Sequence, residues 1–196
     1  MEKFLINEFG QNEGNRIYVL QQKKLQEILG RAAGKSRSQM KTLTKTILPR
    51  VSLYKVLQEE YGEEKKAYDT VEKYMFTVVG PKLGKQYSML ECIPGFFYIF
   101  FRRLMAAVVS KSDNWVTEIT KNDSTSVEYN ITKCLWYDAC VENECPELCK
   151  VFCDVDHVIY GSMKKVSFTR NGTLGTGQEC CDFCYAYKKS ERKPGS

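Results

Sequence analysis

The stretch KKVSFTRNGTLGTGQECCDFCYAY, residues 164–187, lies near the C-terminus and decides the fold. From Lys164 to Thr169, and again from Cys181 to Tyr187, aromatic and β-branched residues alternate with polar or small ones. This period of two is typical of β-strands. The segment between the two runs is rich in glycine, which permits the positive φ angles or the close backbone approach that a turn requires. The stretch therefore predicts a β-hairpin.

The predicted hairpin also carries reactive side chains. Arg170, Cys181 and Asp182 bring a cation, a thiol and a carboxylate into one short segment. Because successive side chains of a strand point to opposite faces, we expect Cys181 and Phe183 on one face of the sheet and Asp182 on the other. Each face is a candidate contributor to a functional site.

The length of the chain predicts a single domain over 1–196, with a mainly helical half over 1–110 and a sheet-containing half over 111–190. Residues 1–10 mix charged side chains into a short apolar stretch, which is not the pattern of a signal peptide. The chain has nine cysteines. We expect a cytoplasmic protein with free thiols, since disulfides are rare in that compartment.

The net charge of +5 is unevenly distributed. Between Arg16 and Lys55 there are ten basic residues, against Glu27 alone. Such a face can meet nucleic acid, membrane phosphate or an acidic small molecule. The favoured interpretation is a solvated helical face, balanced by the acidic stretch 59–72, because no nucleic-acid motif accompanies it. We therefore expect neither a nucleic-acid nor a membrane partner, and the sequence indicates no oligomeric state.

Hydrophobic periodicity predicts that the first half of the chain is helical. Apolar residues recur at helical spacing from Arg16 to Leu29 and from Met40 to Leu57, where Pro49 marks a break or the first turn of a new helix. A further apolar stripe runs from Leu53 to Val78, and Gly80-Pro81 is expected to stop it.

The segment from Pro94 to Val109 is the most apolar of the chain. A membrane span needs about 20 apolar residues, and Arg102 and Arg103 interrupt this shorter run. The pattern therefore predicts a central buried helix. Its arginines either extend outward to solvent or reach an anionic ligand.

The pattern changes to that of strands after Asp113. Alternating residues over 115–119 and 127–131, with Asp123-Ser124 between them, predict two antiparallel strands. A helix is predicted over 146–157, then the hairpin, then a polar frayed tail over 188–196. A helical N-terminal half packed on an antiparallel sheet with a crossing helix makes the predicted fold class α+β.

The cysteines allow three interpretations. Five of them, taken singly, are best explained as small buried hydrophobic residues: Cys92, Cys140, Cys145, Cys180 and Cys184. A metal site could use Cys149 with Cys153, or Cys181 with Cys184, although a strand would separate the second pair across the sheet. A nucleophile could be Cys153, one turn from Asp156 and His157, or Cys181, near Arg170. Cys145, Cys149, Cys153 and His157 are spaced at every fourth position, which predicts one stripe on the helix.

The spacing of these residues resembles that of a known family, the L-2-amino-thiazoline-4-carboxylic acid hydrolases. The resemblance rests on Cys134, on Pro146-Glu147-Leu148 leading to Cys153-x-x-Asp156, and on Arg170-x-x-Thr173-Leu174-x-x-Gly177-x-x-x-Cys181-Asp182-Phe183. Upstream, Ile47-Leu48-Pro49 and Pro94-Gly95-Phe96-Phe97 are similar to the helical half of that family. The resemblance thus spans most of the chain.

The resemblance implies a cytosolic bacterial hydrolase that acts on a non-peptide C–N bond of a cyclic amidine. In the named activity, a thiazoline ring opens to a carbamoyl-cysteine on the way to cysteine. The Gly-x-x-x-Cys ending is also similar to ligand-binding domains related to vinyl reductases, whose helices and sheet enclose a small-molecule pocket. The alternative is therefore a binding or sensing module without turnover. In either case we expect a small-molecule ligand in a pocket, with no cofactor and no metal.

Ring opening requires attack on the amidine carbon and protonation of the departing atom. A thiolate can attack directly, or a carboxylate can activate water. The candidates are the thiols of Cys153 and Cys181 and the carboxylates of Asp156 and Asp182. Arg170 would hold a substrate carboxylate through two parallel hydrogen bonds, and the other expected binding residues are Cys134, Thr173 and His157. We expect five of these residues to line one pocket: Cys134, Cys153, Asp156, Arg170 and Cys181.

Overall fold

A computed structural model describes residues 1–188, so residues 189–196 of the predicted tail lie outside the described part. Within it the helices are α1 (Glu2–Phe9), α2 (Gln11–Arg31), α3 (Arg37–Thr42), α4 (Leu48–Tyr61), α5 (Glu64–Tyr74), α6 (Gly80–Leu90), α7 (Arg102–Lys111), α8 (Leu135–Glu142) and α9 (Cys149–Gly161). Short π-helical segments span Leu43–Ile47, Met75–Val79 and Phe96–Phe101, and single 3₁₀ turns span Pro146–Leu148 and Leu174–Thr176.

The sheet has four strands in the described residues: β1 (Trp115–Asn122), β2 (Ser126–Cys134), β3 (Val166–Thr169) and β4 (Cys181–Tyr187). Their order is β1-β2-β4-β3, and every neighbouring pair is antiparallel. The two predicted hairpins, β1–β2 and β3–β4, are confirmed. The α+β class is confirmed as well.

The helices pack on the sheet through aromatic side chains. The ring of Phe101 lies 5.5 Å from that of Tyr185, and the ring of Phe97 lies 5.6 Å from that of Tyr187. The ring of Tyr160, on α9, packs edge-to-face against Tyr185, with the ring centres 4.8 Å apart. Tyr185 is fully buried. The core therefore lies where the helical half, α9 and β4 converge.

Two glycines let α6 and α9 approach closely. A Cβ atom at Gly80 would lie 2.8 Å from Cγ1 of Val158, and one at Gly84 would lie 2.7 Å from Oγ of Ser162 and 3.0 Å from the carbonyl oxygen of Ile159. Any larger side chain at these positions would push the two helices apart. The closeness of α6 fixes the position of α9, which carries three of the candidate site residues, Cys153, Asp156 and His157.

Gly80-Pro81 does not end the helical region that contains the apolar stripe from Leu53 to Val78, which corrects one expectation. Gly80-Pro81 begins α6 instead of stopping the helix, because a π-helical turn precedes it, with Gly80 N–H donating to the carbonyl of Met75. A proline ring collides with the carbonyl four residues earlier in a regular helix, and the extra residue of a π turn displaces that carbonyl. A π-helical turn also precedes Pro49, and there the N–H of Leu48 donates to the carbonyl of Leu43.

The segment predicted as a central buried helix is only half buried, a second correction. Phe96, Phe97 and Phe101 are buried, but Ile99 is 64% exposed. The segment therefore turns one face to the core and the other to solvent. Arg103 is exposed, and Arg102 donates to Asn122 at 2.8 Å. Arg103 thus extends to solvent, whereas Arg102 is half-buried. Among residues 1–188, the helices are too short or too polar to cross a membrane.

Candidate functional site

A cavity of about 300 Å³ lies between the helices and the sheet and is called the central cavity below. Its lining is predominantly apolar and aromatic. One wall comes from the helical half, with residues of α4, α6 and α7, and the other comes from β1, β2, β4, α8 and α9. A volume of this size is at the lower end for sites that hold small molecules.

The residues expected to share one pocket all line the central cavity. These are Cys134, Cys153, Asp156, Arg170 and Cys181. Cys134 ends β2, Cys153 and Asp156 lie one turn apart on α9, Arg170 follows β3, and Cys181 begins β4. Phe183 lines the cavity with Cys181, whereas Asp182 does not, as the alternation along β4 requires.

Asp156 and Arg170 form an ion pair in this cavity. Nη1 of Arg170 donates to Oδ2 of Asp156 at 2.9 Å, and Nη2 donates to the carbonyl of Cys153 at 2.7 Å. The Arg170 side chain is only 3% exposed. Its guanidinium also lies 5.1 Å from the ring centre of Phe183 and 5.5 Å from that of Phe168. These contacts fix the arginine and direct it at the carboxylate.

Burial raises the pKa of Asp156 to about 6, although the adjacent Arg170 acts to lower it. A carboxyl group with such a pKa is divided between its two protonation states near neutral pH. It can therefore accept a proton and return it, which is the requirement for general acid–base catalysis.

The cavity thiols are held in their protonated form. Burial raises the pKa of Cys134 to about 12 and that of Cys181 to about 11, although Leu174 N–H, 3.3 Å from Sγ of Cys181, partly offsets the latter. The pKa of Cys153 is raised mainly by a hydrogen bond with the Cys149 sulfur and, to a lesser extent, by burial. Since the thiolate is the nucleophilic form, these thiols are poor nucleophiles at neutral pH.

Three of the expected site residues do not line the cavity. The carboxylate of Asp182 accepts hydrogen bonds from the backbone N–H of Gly172 at 2.7 Å and of Asn171 at 3.0 Å. Thr173 is buried and caps the 3₁₀ turn Leu174–Thr176. His157 is exposed on α9, and its ring lies 5.0 Å from that of Phe168. Asp182 and Thr173 thus shape the loop that follows Arg170, and His157 lies outside the cavity.

The predicted stripe on one helix includes only Cys149, Cys153 and His157, because α9 begins at Cys149 and Cys145 precedes the 3₁₀ turn Pro146–Leu148. Cys145 and Cys149 are buried, Cys153 is half-buried and His157 is exposed. Within residues 1–188, His, Cys, Asp and Glu side chains form no group of three or more suited to a metal ion. Cys184 does not line the cavity that Cys181 faces, so β4 separates this pair.

Sequence reasoning missed Arg50 and the tyrosines of the cavity. Arg50 lines the cavity from the first turn of α4. In the sequence it is one member of a basic run, with nothing to distinguish it from its exposed neighbours. Tyr129, Tyr160 and Tyr185 line the sheet side, and burial raises the pKa of all three. The alternation that contains Tyr129 in β2 and Tyr185 in β4 indicated strands but not a ligand, and Tyr160 lies on α9.

An apolar cavity with a few convergent polar groups, here the carboxyl–arginine pair, is the general form of a small-molecule site in proteins. A sequence model of the L-2-amino-thiazoline-4-carboxylic acid hydrolase family matches residues 39–185, and the chain belongs to that family. The matched range includes every residue that lines the central cavity. The family name implies hydrolase activity. No curated protein matches the chain.

Proposed function

We propose that this protein is a hydrolase that opens the ring of a small cyclic amidine bearing a carboxylate, such as L-2-amino-thiazoline-4-carboxylate. The observation that carries the proposal is the Asp156 carboxyl, which lies in the central cavity beside Arg170 and has a pKa of about 6. Membership in the hydrolase family supports the reaction class. The Asp156 side chain is 22% exposed, so water can reach it.

The proposed reaction adds water to the amidine carbon between nitrogen and sulfur. The water oxygen bonds to that carbon while Asp156 accepts one water proton, and the electron pair of the C=N bond moves to the ring nitrogen, which takes up a proton. In the second step the adduct forms a carbonyl and the bond from carbon to ring nitrogen breaks. Both water protons finish on that nitrogen, which leaves as a primary amine, and the product is a carbamoyl-cysteine.

Water is a better candidate nucleophile than a cavity thiol. The raised pKa values of Cys134, Cys153 and Cys181 keep these groups uncharged at neutral pH. Arg170, the cation that acts to lower the pKa of Cys153 and Cys181, already binds Asp156 and the Cys153 carbonyl. In this proposal the thiols form a compact, weakly polar lining around the reacting carbon.

Arg170 is a positioning residue in this mechanism, and Asp182 supports it. Arg170 orients the Asp156 carboxylate and stabilises its charged form by its adjacent cation. Asp182 binds the backbone of Asn171 and Gly172, directly after Arg170 in the chain. We also propose a bacterial, cytoplasmic setting, in agreement with the nine free thiols.

The test is incubation with L-2-amino-thiazoline-4-carboxylate and a panel of cyclic amidines, with products detected by mass spectrometry. Asp156→Asn is expected to lower kcat/KM by about 10²- to 10⁴-fold, the usual contribution of a general acid–base group. Melting must be recorded in parallel, because this change leaves Arg170 without its carboxylate partner.

Asp154→Asn is the matched control. Asp154 lies on the same helix two residues earlier, pairs with Lys150 and does not line the cavity, so turnover should persist. Full activity in Asp156→Asn would contradict the mechanism. If ligands raise the melting temperature of the wild type but no compound yields a product, the protein is a binding or sensing module instead.

A further inference from the structure

Arg50 is a cation in the central cavity without an anionic partner. It forms no ion pair with any carboxylate in residues 1–188, and its Nε is buried with no hydrogen-bond partner there. Burying an unpaired charge or an unpaired donor costs free energy, and native structures rarely retain one without a reason. Among residues 1–188, the charged side chains that line the cavity are Arg50, Arg170 and one carboxylate, Asp156. It therefore has an excess of positive charge when Asp156 is ionised.

The Arg50 side chain is nevertheless held in a defined position. Its Nη1 donates to the carbonyl of Lys45 at 3.0 Å, and its guanidinium lies 5.7 Å from the ring centre of Tyr74. In a regular helix the Lys45 carbonyl would accept from the N–H of residue 49, but Pro49 has no N–H. The carbonyl is therefore free to accept from Arg50. The backbone that precedes Arg50 is also held in place, because Nε2 of the buried Gln21 donates to the carbonyl of Pro49 at 3.1 Å.

Arg50 and Arg170 differ in what they still offer a ligand. Both Nη atoms of Arg170 are engaged by protein oxygens, one of them charged. Arg50 is engaged through Nη1 by a neutral carbonyl alone. A carboxylate entering the cavity therefore gains more from Arg50, because it would meet a cation that no carboxylate in residues 1–188 neutralises.

We propose that Arg50 binds the carboxylate of the substrate and thereby orients its amidine end towards Asp156. This inference rests on the proposed function, and it transfers the carboxylate-binding role from Arg170, to which the sequence assigned it. It also defines the ligand class as a small organic molecule with a carboxylate at one end and a basic amidine at the other. Such a molecule matches a cavity with a cation from α4 and a carboxylate from α9.

The test compares two probes, L-2-amino-thiazoline-4-carboxylate and 2-amino-thiazoline, which lacks the carboxylate. Their dissociation constants are measured by calorimetry for wild type, Arg50→Met and Arg50→Lys. Arg50→Met is expected to weaken binding of the carboxylate probe by about 10- to 100-fold, as for loss of a hydrogen bond to a charged group. Binding of 2-amino-thiazoline should be unchanged, and Arg50→Lys should restore part of the loss because it retains the charge.

Lys45→Met is the matched control, because it removes one positive charge from the exposed side of the same region. It should alter neither dissociation constant. The melting temperature of unliganded Arg50→Met should stay equal or rise, since the variant removes a half-buried cation that has no ion-pair partner in residues 1–188. A marked fall would assign Arg50 a structural role and overturn the inference.

The remaining outcomes separate this inference from the proposed function. Equal weakening of both probes, or no weakening of either, overturns the role of Arg50 even if the wild type turns over substrate. That role is also overturned if wild type binds the carboxylate probe no more tightly than 2-amino-thiazoline. Carboxylate-selective binding that depends on Arg50, without any product, supports the role of Arg50 and refutes the hydrolase.

Discussion

At the scale of the residue, Asp156 determines how the reaction should depend on pH. A general base must be ionised in the free enzyme, and the pKa of this carboxyl is about 6. We therefore expect kcat/KM to fall tenfold per pH unit below about 6 and to level off above 7. The measurement is the pH profile of kcat/KM with L-2-amino-thiazoline-4-carboxylate.

The same profile distinguishes Asp156 from a thiol nucleophile. A thiol with the pKa of Cys181, about 11, would make the rate continue to rise with pH well above 8. A rise of that kind, without a plateau, would contradict the assignment of Asp156. Residual activity of Asp156→Asn provides the control, because its acidic limb should disappear.

Individual site residues could be predicted from the sequence only where a motif marks them. The spacing of Cys153-x-x-Asp156 and Arg170 identified three residues that do line the central cavity. Arg50 was not identifiable, because its burial depends on the approach of α5 and its Tyr74, far along the chain. The ion pair between Arg170 and Asp156 could not be predicted from the sequence either, since it depends on how α9 packs against the end of β3.

At the scale of the element, the contact of α6 with α9 controls where Asp156 lies. Gly84→Ala would place a Cβ atom 3.0 Å from the backbone oxygen of Ile159. Overpacking of this kind costs about 1–3 kcal/mol, which exceeds the helix propensity that alanine gains over glycine. We expect a lower free energy of unfolding in urea, together with reduced kcat.

Gly161→Ala serves as the control for that substitution. Gly161 ends α9, and a Cβ atom there would meet no atom within 4 Å. This variant should be neutral or stabilised by up to about 1 kcal/mol. Equal stability of Gly84→Ala and Gly161→Ala would show that the two helices can move apart freely.

Strands were easier to predict than the limits of helices. The alternation in β2 and β4 follows from one face being buried, so the local sequence shows it. Helix α6 was missed because proline normally ends a helix, whereas the π turn Met75–Val79 allows the chain to continue. That turn depends on packing against α9, which no local pattern records.

At the scale of the whole molecule, the helical half and the sheet are expected to unfold together. Phe97 and Phe101 supply rings to the same core as Tyr185, so neither half keeps its core alone. The only two tryptophans of the chain, Trp115 and Trp136, stack with ring centres 5.2 Å apart and both line the central cavity. Their fluorescence should therefore change in the same transition as the helical circular dichroism signal.

The measurement is urea denaturation followed by both signals, and coincident midpoints are the expected result. A fluorescence midpoint clearly below that of circular dichroism would indicate two separate units and would contradict the single domain predicted from the length. Ligand added at saturating concentration should move both midpoints upward together.

The separation of Arg50 on α4 from Asp156 on α9 has a consequence for how such an enzyme can diversify. In the proposed mechanism, the residue that selects the ligand and the residue that performs the chemistry belong to different parts of the chain, about a hundred positions apart. Mutations in the first turn of α4 can therefore change which compounds are accepted without altering the reactive centre. Laboratory evolution towards amidines that lack a carboxylate should accumulate its first successful changes around Arg50, with α9 left intact.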